Sequence, residues 1–195
     1  MSELIPHKGW YSRGYLPHCD EAGRLQSITF RLCDSLPSQL VQLWSQAPQL
    51  LPDAARARYQ RALDEGHGAC LLGQPAVATL VQDTLLHYDG EHYRLIAWVI
   101  MPNHVHVVVE MGERYPLPKM VRVWKTFSAH AVNGLVGREG PLWYRDYYDR
   151  LIRNDEHLLQ CVRYVDNNPV KAGLVASPDE WLFGSARLRA AEGWR

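Results

Sequence analysis

Long hydrophobic runs are missing from this sequence, and no apolar stretch approaches the roughly 20 residues that a membrane-spanning helix needs. No two cysteines form a CxxC pair, which argues against a disulfide framework or a zinc knuckle; the four are Cys19, Cys33, Cys70 and Cys161. The first 15 residues have no apolar core of the kind that signal peptides carry. We therefore expect a reduced, cytoplasmic protein that does not associate with membranes.

Net charge is also missing, because 21 Lys and Arg residues balance 21 Asp and Glu residues. This balance counts against binding to nucleic acid by bulk electrostatics. The charge is uneven, however: residues 1–112 carry 8 basic against 11 acidic side chains, and residues 113–195 carry 13 against 10. The stretch 117–134 has a helical apolar stripe, three basic residues and no acidic residue. A solvated surface helix is the simpler interpretation of these charges.

The hydrophobic pattern predicts one α+β domain that spans residues 1–195. A chain of this length with 47% hydrophobic residues can bury a sizeable core. The strand-like patterns cover residues 25–32, 93–100, 104–111 and 142–152, and the helix-like patterns cover 35–63, 75–90, 117–134 and 154–168. We expect prolines 48 and 52 to interrupt the first helical region and Pro169 to end the last helix. This order predicts an antiparallel sheet with the helices on one face.

The stretch WVIMPNHVHVVVE, residues 98–110, has the composition of a buried strand but contains two histidines. Side chains alternate between the faces of a strand, so His104 and His106 point to one face while Val105 and Val107 point into the core. Two imidazoles about 7 Å apart on one face can share a metal ion. A pair of satisfied polar side chains is the alternative, and two ligands alone do not complete a metal site.

A third ligand is expected on the last helix, within CVRYVDNNPVKAG. Tyr164 and Asn168 are four residues apart and therefore share one helical face. The Asn168 carbonyl oxygen is a hard ligand suited to magnesium or manganese. The Tyr164 hydroxyl can become a nucleophile when a metal or a base lowers its pKa from about 10. From the helical pattern alone, core packing for Tyr164 and helix capping for Asn168 are the simpler interpretation.

Two motifs taken together resemble the single-tyrosine HUH transposases, specifically the REP-associated tyrosine transposases. The first is AWVIMPNHVH, which contains histidine, hydrophobe and histidine at 104–106, and the second is RYVDNNPVKAGLV, about sixty residues later. The segment WYRDYYDRLIRNDEHL also matches. The resemblance covers residues 25–185, which leaves residues 1–24 as an N-terminal arm. The chain departs from the family pattern in its zero net charge and in Asp166-Asn167, which leaves Asn167 as a rival to Asn168.

The resemblance implies a ferredoxin-like or RRM-like sheet and an enzyme that cuts and rejoins single-stranded DNA. In this family the histidine pair, here His104 and His106, binds a divalent cation, Mg²⁺ or Mn²⁺. Tyr164 matches the nucleophile that forms a 5′-phosphotyrosine link and leaves a free 3′-hydroxyl. Asn168 matches the polar residue that completes the metal site. The implied substrate is a hairpin of repetitive extragenic palindromic DNA with a flanking guide sequence.

Basic and aromatic side chains are expected to hold the single-stranded hairpin DNA. The basic candidates are Lys8, Arg13, Lys119, Arg122, Lys125, Arg145 and Arg153. The stacking candidates are Trp10, Tyr11, Tyr15, Trp143 and Tyr147. A frayed N-terminus and ion pairs with nearby aspartates are the competing interpretations. We expect a nucleoid-associated monomer or homodimer.

Three other functions fit parts of the pattern. A histidine-triad nucleotide hydrolase also carries His-hydrophobe-His on a strand, but it needs a third histidine where this chain has Val108. A catalytically inactive protein of the same fold would still bind hairpin DNA, although His104, His106 and Tyr164 together argue against lost chemistry. A metal-dependent nuclease without covalent chemistry would form no protein–DNA adduct.

Overall fold

A computed structural model describes residues 7–12, 17–41 and 53–192. Two short strands, β1 (Gly9–Ser12) and β2 (Pro17–Asp20), pair as an antiparallel ribbon. The main sheet has four strands: β3 (Leu25–Arg31), β4 (Tyr93–Ile100), β5 (His104–Met111) and β6 (Tyr148–Leu151). Their order is β4-β5-β3-β6, and every neighbouring pair is antiparallel. The predicted α+β class with an antiparallel sheet is therefore confirmed.

Five α-helices lie around this sheet in the described residues. They are α1 (Asp53–Asp64), α2 (Pro75–Leu86), α3 (Leu117–Val136), α4 (Asp155–Lys171) and α5 (Ser185–Ala191). Two 3-10 turns, Leu71–Gly73 and Pro178–Glu180, join them. Residues 38–41 are helical, within the helical region predicted from residue 35. Residues 42–52, where prolines 48 and 52 were predicted to interrupt that region, lie outside the described residues. No helix of the described part has the length and apolar character needed to cross a bilayer.

The helices cover both faces of the sheet, so their prediction on one face was wrong. The valines Val105 and Val107 of β5 pack with α2 and α3 in the larger core cluster. Val108, on the opposite face, packs with Val165 of α4 in a second cluster. Residues on both faces of β5 are buried. A strand with two buried faces must be covered by a layer of structure on each side of the sheet.

The helix α4 begins as predicted but ends later. The side chain of Asn154 caps its N-terminus by accepting a hydrogen bond from the His157 backbone N–H at 2.8 Å. Pro169 was expected to stop the helix, yet it lies inside it, and the helix continues to Lys171. Pro169 removes the hydrogen bond that its N–H would donate to the Val165 carbonyl, and the helix runs only two residues further. The extra residues bring Lys171 into the helix, where it contacts Asp64 of α1.

Candidate active site

The histidine pair lies on the face of β5 that α4 covers. His104 and His106 are 0% and 1% exposed, and their Nε2 atoms are 3.0 Å apart. The rings cross nearly at right angles, with centroids 4.7 Å apart. The alternation of β5 therefore brings the two imidazoles together, as the sequence predicted, and closer than the strand repeat of about 7 Å implies.

Each Nδ1 atom of the pair has a fixed partner. His104 Nδ1 lies 2.7 Å from Asn103 Oδ1, and the Asn103 amide donates to the His67 carbonyl at 3.1 Å. Because that amide N–H₂ is committed to His67, the Asn103 oxygen faces His104 and the imidazole donates through Nδ1. His104 Nε2 therefore carries a lone pair. This arrangement is the usual support of a metal-binding histidine.

His106 has a more adaptable partner. Its Nδ1 lies 2.8 Å from the hydroxyl of Thr29, and a hydroxyl can either donate or accept. While His106 Nε2–H donates to His104 Nε2, Thr29 donates to His106. When both Nε2 atoms face a cation, the Thr29 hydroxyl can rotate and accept instead. Thr29 was not identified from the sequence, because its position opposite His106 depends on the pairing of β3 with β5.

Both imidazoles are held neutral. Burial, followed by the charges of His106 and Lys171, lowers the pKa of His104 well below its usual value. Burial and the charge of Lys171 lower the pKa of His106 to about 3. Neutral imidazoles with free Nε2 lone pairs are the form that binds metal ions.

The α4 helix places Tyr164 over the histidines. The Tyr164 ring meets the His106 ring edge to face, with centroids 5.3 Å apart, and its hydroxyl donates to Gln60 Oε1 at 2.9 Å. Burial, reinforced by the Asp64 carboxylate, raises the pKa of the phenol. The phenol is therefore protonated at rest, with its ring against His106 and its hydroxyl bonded to α1.

Asn168 and Asn167 have different environments. Asn168 is 0% exposed, and neither of its amide atoms has a hydrogen-bond partner of good geometry among the described residues. Its amide lies close enough to the phenol to offset part of the rise in the pKa of Tyr164. The exposed Asn167 donates to the Arg163 carbonyl of its own helix at 2.9 Å. Asn168 is therefore the amide that faces the buried site.

A carboxylate also reaches this site, although no local sequence pattern points to it. Asp64 ends α1, and its Oδ1 lies 4.0 Å from His104 Nε2. Its Oδ2 accepts a hydrogen bond from Lys171 Nζ at 2.9 Å. Burial, partly offset by Lys171, raises the pKa of this carboxyl. Forty residues separate Asp64 from His104, so only the fold brings the two together.

The donor atoms fit a hard divalent cation, although they do not form an assembled site. In the described residues, no group of three His, Cys, Asp or Glu side chains is close enough to hold an ion. Two ligands at right angles on an octahedral ion, each about 2.1 Å away, are about 3.0 Å apart. The Nε2 atoms of His104 and His106 have that separation. The unpartnered amide of Asn168 supplies an oxygen of the kind that Mg²⁺ and Mn²⁺ bind.

Comparison with known proteins shows what this chain is similar to. The model of the IS200-like transposases matches residues 77–168, which include both histidines, Tyr164 and Asn168. A putative REP-associated tyrosine transposase of Haemophilus influenzae is 28% identical over 113 residues, covering 49% of this chain and 61% of that protein. The REP-associated tyrosine transposase of Escherichia coli is 28% identical over 103 residues, covering 52% and 59%. The resemblance to the REP-associated tyrosine transposases is confirmed.

A solved structure extends the comparison to the whole fold. It is described as a REP-associated tyrosine transposase bound to a REP hairpin, and it matches with a TM-score of 0.59 at 21% identity. The match covers 100% of this chain and 88% of that one. At this identity the likeness shows a shared fold. The sequence matches span about three fifths of the length of the curated relatives.

The basic residues predicted to contact DNA differ in how far their side chains are exposed to solvent. Lys119 and Arg122 are exposed on α3, and Lys8, Arg145 and Arg153 are also exposed. Lys125 instead donates to the carbonyls of Tyr144 and Arg145, both at 2.7 Å, and so holds the segment before β6 against α3. Arg13 lies outside the described residues.

The residues predicted to stack on bases also differ in exposure. Trp143 and Tyr147 are 6% and 4% exposed and belong to the core, so they cannot receive a base, and their prediction as stacking platforms was wrong. Trp10 is 60% exposed on β1 and is available for stacking. The Tyr11 hydroxyl lies 3.2 Å from that of Tyr147. Tyr15 lies outside the described residues.

The neutral histidine pair should make the metal-free protein less stable in acid. Below about pH 6.5 the unfolded chain protonates both histidines, whereas folded His106 stays neutral down to about pH 3. Since the unfolded state then binds more protons, the free energy of unfolding should fall by up to about 1.4 kcal/mol per pH unit for each histidine. Urea denaturation between pH 7 and pH 4.5, with a chelator present, measures this. A His104→Asn/His106→Asn variant should decline less steeply, and a parallel decline would contradict the assignment.

Proposed function

We propose that this chain is a metal-dependent enzyme that cuts and rejoins single-stranded hairpin DNA through a 5′-phosphotyrosine intermediate. The observation that carries the proposal is the position of Tyr164, whose ring lies 5.3 Å from that of His106 over the buried Nε2 pair. A nucleophile, two neutral imidazoles and an unpartnered amide on one face suit phosphoryl transfer. The family likeness and the hairpin bound by the structural relative support the choice of substrate.

The reaction exchanges one phosphodiester for another. The Tyr164 oxygen forms a bond to phosphorus, the bond from phosphorus to the 3′-oxygen breaks, and the phenolic proton is transferred overall to the released 3′-oxygen, which becomes the free 3′-hydroxyl. Because the phosphotyrosine preserves the ester, the reverse attack by a 3′-hydroxyl rejoins DNA without ATP. The resting hydrogen bond from Tyr164 to Gln60 orients the hydroxyl before DNA arrives.

The buried side chains have distinct tasks in this reaction. Held by His104, His106 and Asn168, Mg²⁺ or Mn²⁺ would supply positive charge against the phosphate that is attacked. Asn103 and Thr29 hold the two imidazoles so that both Nε2 atoms face the same point, and the adaptable Thr29 hydroxyl lets His106 Nε2 lose its hydrogen when a cation binds. Burial raises the pKa of Tyr164, so the phenol is protonated at rest and must lose its proton during the attack.

Hairpin DNA should bind much more tightly than duplex DNA of the same sequence. Exposed aromatics such as Trp10 can stack only on unpaired bases, and a paired duplex offers none. We expect at least about tenfold weaker binding to the duplex at matched salt, since stacking contributes about 1–3 kcal/mol per base. Affinity should fall with salt less steeply than for a strongly basic protein, given the net charge of zero.

Fluorescence anisotropy with a labelled palindromic hairpin and its duplex measures this difference. A hairpin lacking the flanking bases is the matched control. Equal affinity for hairpin and duplex would contradict the proposed substrate. A hairpin that binds but forms no adduct with Mn²⁺ present would favour the alternative, a catalytically inactive hairpin-binding protein. Cutting without an adduct would favour a metal-dependent nuclease.

A further inference from the structure

One oxygen of Asp64 has no hydrogen-bond partner that accounts for its burial. Oδ2 accepts from Lys171, but Oδ1 is buried and has no partner among the described residues. The side chain as a whole is 10% exposed. A desolvated carboxylate oxygen without a donor is unfavourable, so its presence suggests a ligand that the protein alone does not supply.

The charge of the candidate site also indicates that a carboxylate ligand is needed. His104 and His106 are neutral, and the Asn168 amide has no charge, so these three groups offer a divalent cation no negative charge. Proteins usually bind Mg²⁺ through one or two carboxylates. Asp64 is the carboxylate whose contact with the histidine pair the structure records.

The distance is compatible with a shared ion. Donors about 2.1 Å from an octahedral ion are about 3.0 Å apart at right angles and about 4.2 Å apart on opposite sides. The separation of 4.0 Å between Asp64 Oδ1 and His104 Nε2 falls inside that range. Asp64 and the two histidines do not form a closed metal site at rest, so the proposal requires a small rotation of the Asp64 side chain at the end of α1, which does not move the sheet.

We propose that Asp64 Oδ1 is a further ligand of the divalent cation held by His104, His106 and Asn168. The inference rests on the proposed metal site and adds the carboxylate that balances its charge. Lys171 orients this ligand by binding Oδ2, which leaves Oδ1 directed toward the histidines. The site is then built from α1, β5 and α4 together.

A purely structural ion pair between Asp64 and Lys171 is the competing explanation. Lys171 is 55% exposed, and ion pairs with an exposed partner contribute little to stability. Such a pair would account for Oδ2 but would leave the burial of Oδ1 without a cause. It also predicts that metal affinity does not depend on Asp64, which separates the two explanations.

Titration of the full-length protein with Mn²⁺ alone, followed by the electron paramagnetic resonance signal of the free ion, tests this directly. Asp64→Asn keeps the shape of the side chain and removes its charge. We expect it to weaken Mn²⁺ binding at least tenfold. Glu65→Gln removes the same charge from an exposed neighbouring side chain and should change the affinity less than twofold. A loss below threefold in Asp64→Asn would overturn the inference.

A second variant covers the case in which Asp64→Asn does not fold. In Asp64→Cys, a thiolate that binds the ion directly should give a cadmium–thiolate charge-transfer band in the ultraviolet on addition of Cd²⁺. The wild type, with its own four cysteines, provides the baseline, and Glu65→Cys is the matched control. A band no stronger than that of Glu65→Cys would overturn the inference.

The histidine variant distinguishes failure of this inference from failure of the proposed function. If His104→Asn/His106→Asn keeps the wild-type affinity for Mn²⁺, the metal site itself is wrong, and the role of Asp64 falls with it. If that variant loses Mn²⁺ while Asp64→Asn does not, only the role of Asp64 is wrong.

Discussion

Tyr164→Phe should abolish the covalent protein–DNA adduct and lower the cutting rate by at least about a thousandfold, because it removes the nucleophilic oxygen. The ring and its packing against His106 remain. The lost hydrogen bond to Gln60 should cost only about 1 kcal/mol of stability. Hairpin affinity and Mn²⁺ affinity should therefore stay close to those of the wild type.

A labelled single-stranded hairpin incubated with Mn²⁺ and separated on a denaturing gel measures the adduct. Tyr144→Phe, Tyr147→Phe and Tyr148→Phe are matched controls, because these tyrosines belong to a neighbouring aromatic-rich segment. Each of the three should keep the adduct. The assignment is wrong if Tyr164→Phe retains the adduct and one of these variants loses it. If no tyrosine substitution matters, the covalent mechanism itself is wrong.

Replacing both histidines should remove metal binding and cutting together. Alanine at both positions would also open a cavity, because His104 and His106 are buried. Asparagine is the better replacement, since its amide can keep the partners of the Nδ1 atoms, Asn103 and Thr29. We expect His104→Asn/His106→Asn to lose at least about a hundredfold in Mn²⁺ affinity and to show no cut product.

The exposed His130 on α3 supplies the control for this substitution. His130→Asn should bind Mn²⁺ and cut DNA as the wild type does. Isothermal titration with Mn²⁺ and the gel assay read out the two properties separately. Cutting at the wild-type rate by the double variant, with Mn²⁺ present, would show that the histidines have another role.

The sequence predicted those parts of the site that depend on local geometry. The alternation of a strand placed His104 and His106 on one face, and the spacing of a helix placed Tyr164 and Asn168 on one side. Both relations are set by the backbone and are independent of the rest of the chain. The choice between Asn167 and Asn168 needed the structure, because it depends on which side of α4 faces the sheet.

Relations between distant segments could not be predicted. Asp64, Gln60 and Thr29 reach the site through the packing of α1 and the register of β3, and no local pattern encodes either. Aromatic residue type also does not reveal burial, which is why Trp143 and Tyr147 were taken for stacking platforms. The second layer of helices did have a signal in the sequence, because β4 ends in the unbroken apolar run IAWVI and strands buried on both faces read as continuous hydrophobic runs.

The α4 helix has a consequence for recognising this chemistry in other sequences. Three side chains project from one surface of this helix. Tyr164 contacts His106, Asn168 is buried at the site, and Lys171 binds Asp64. Each residue added to a helix turns everything after it by about 100°. A single inserted residue between Tyr164 and Asn168 would therefore swing the amide and the lysine away from their partners in one step. Chains that keep this arrangement can vary the residues between these three, but they must conserve the intervals of four and three.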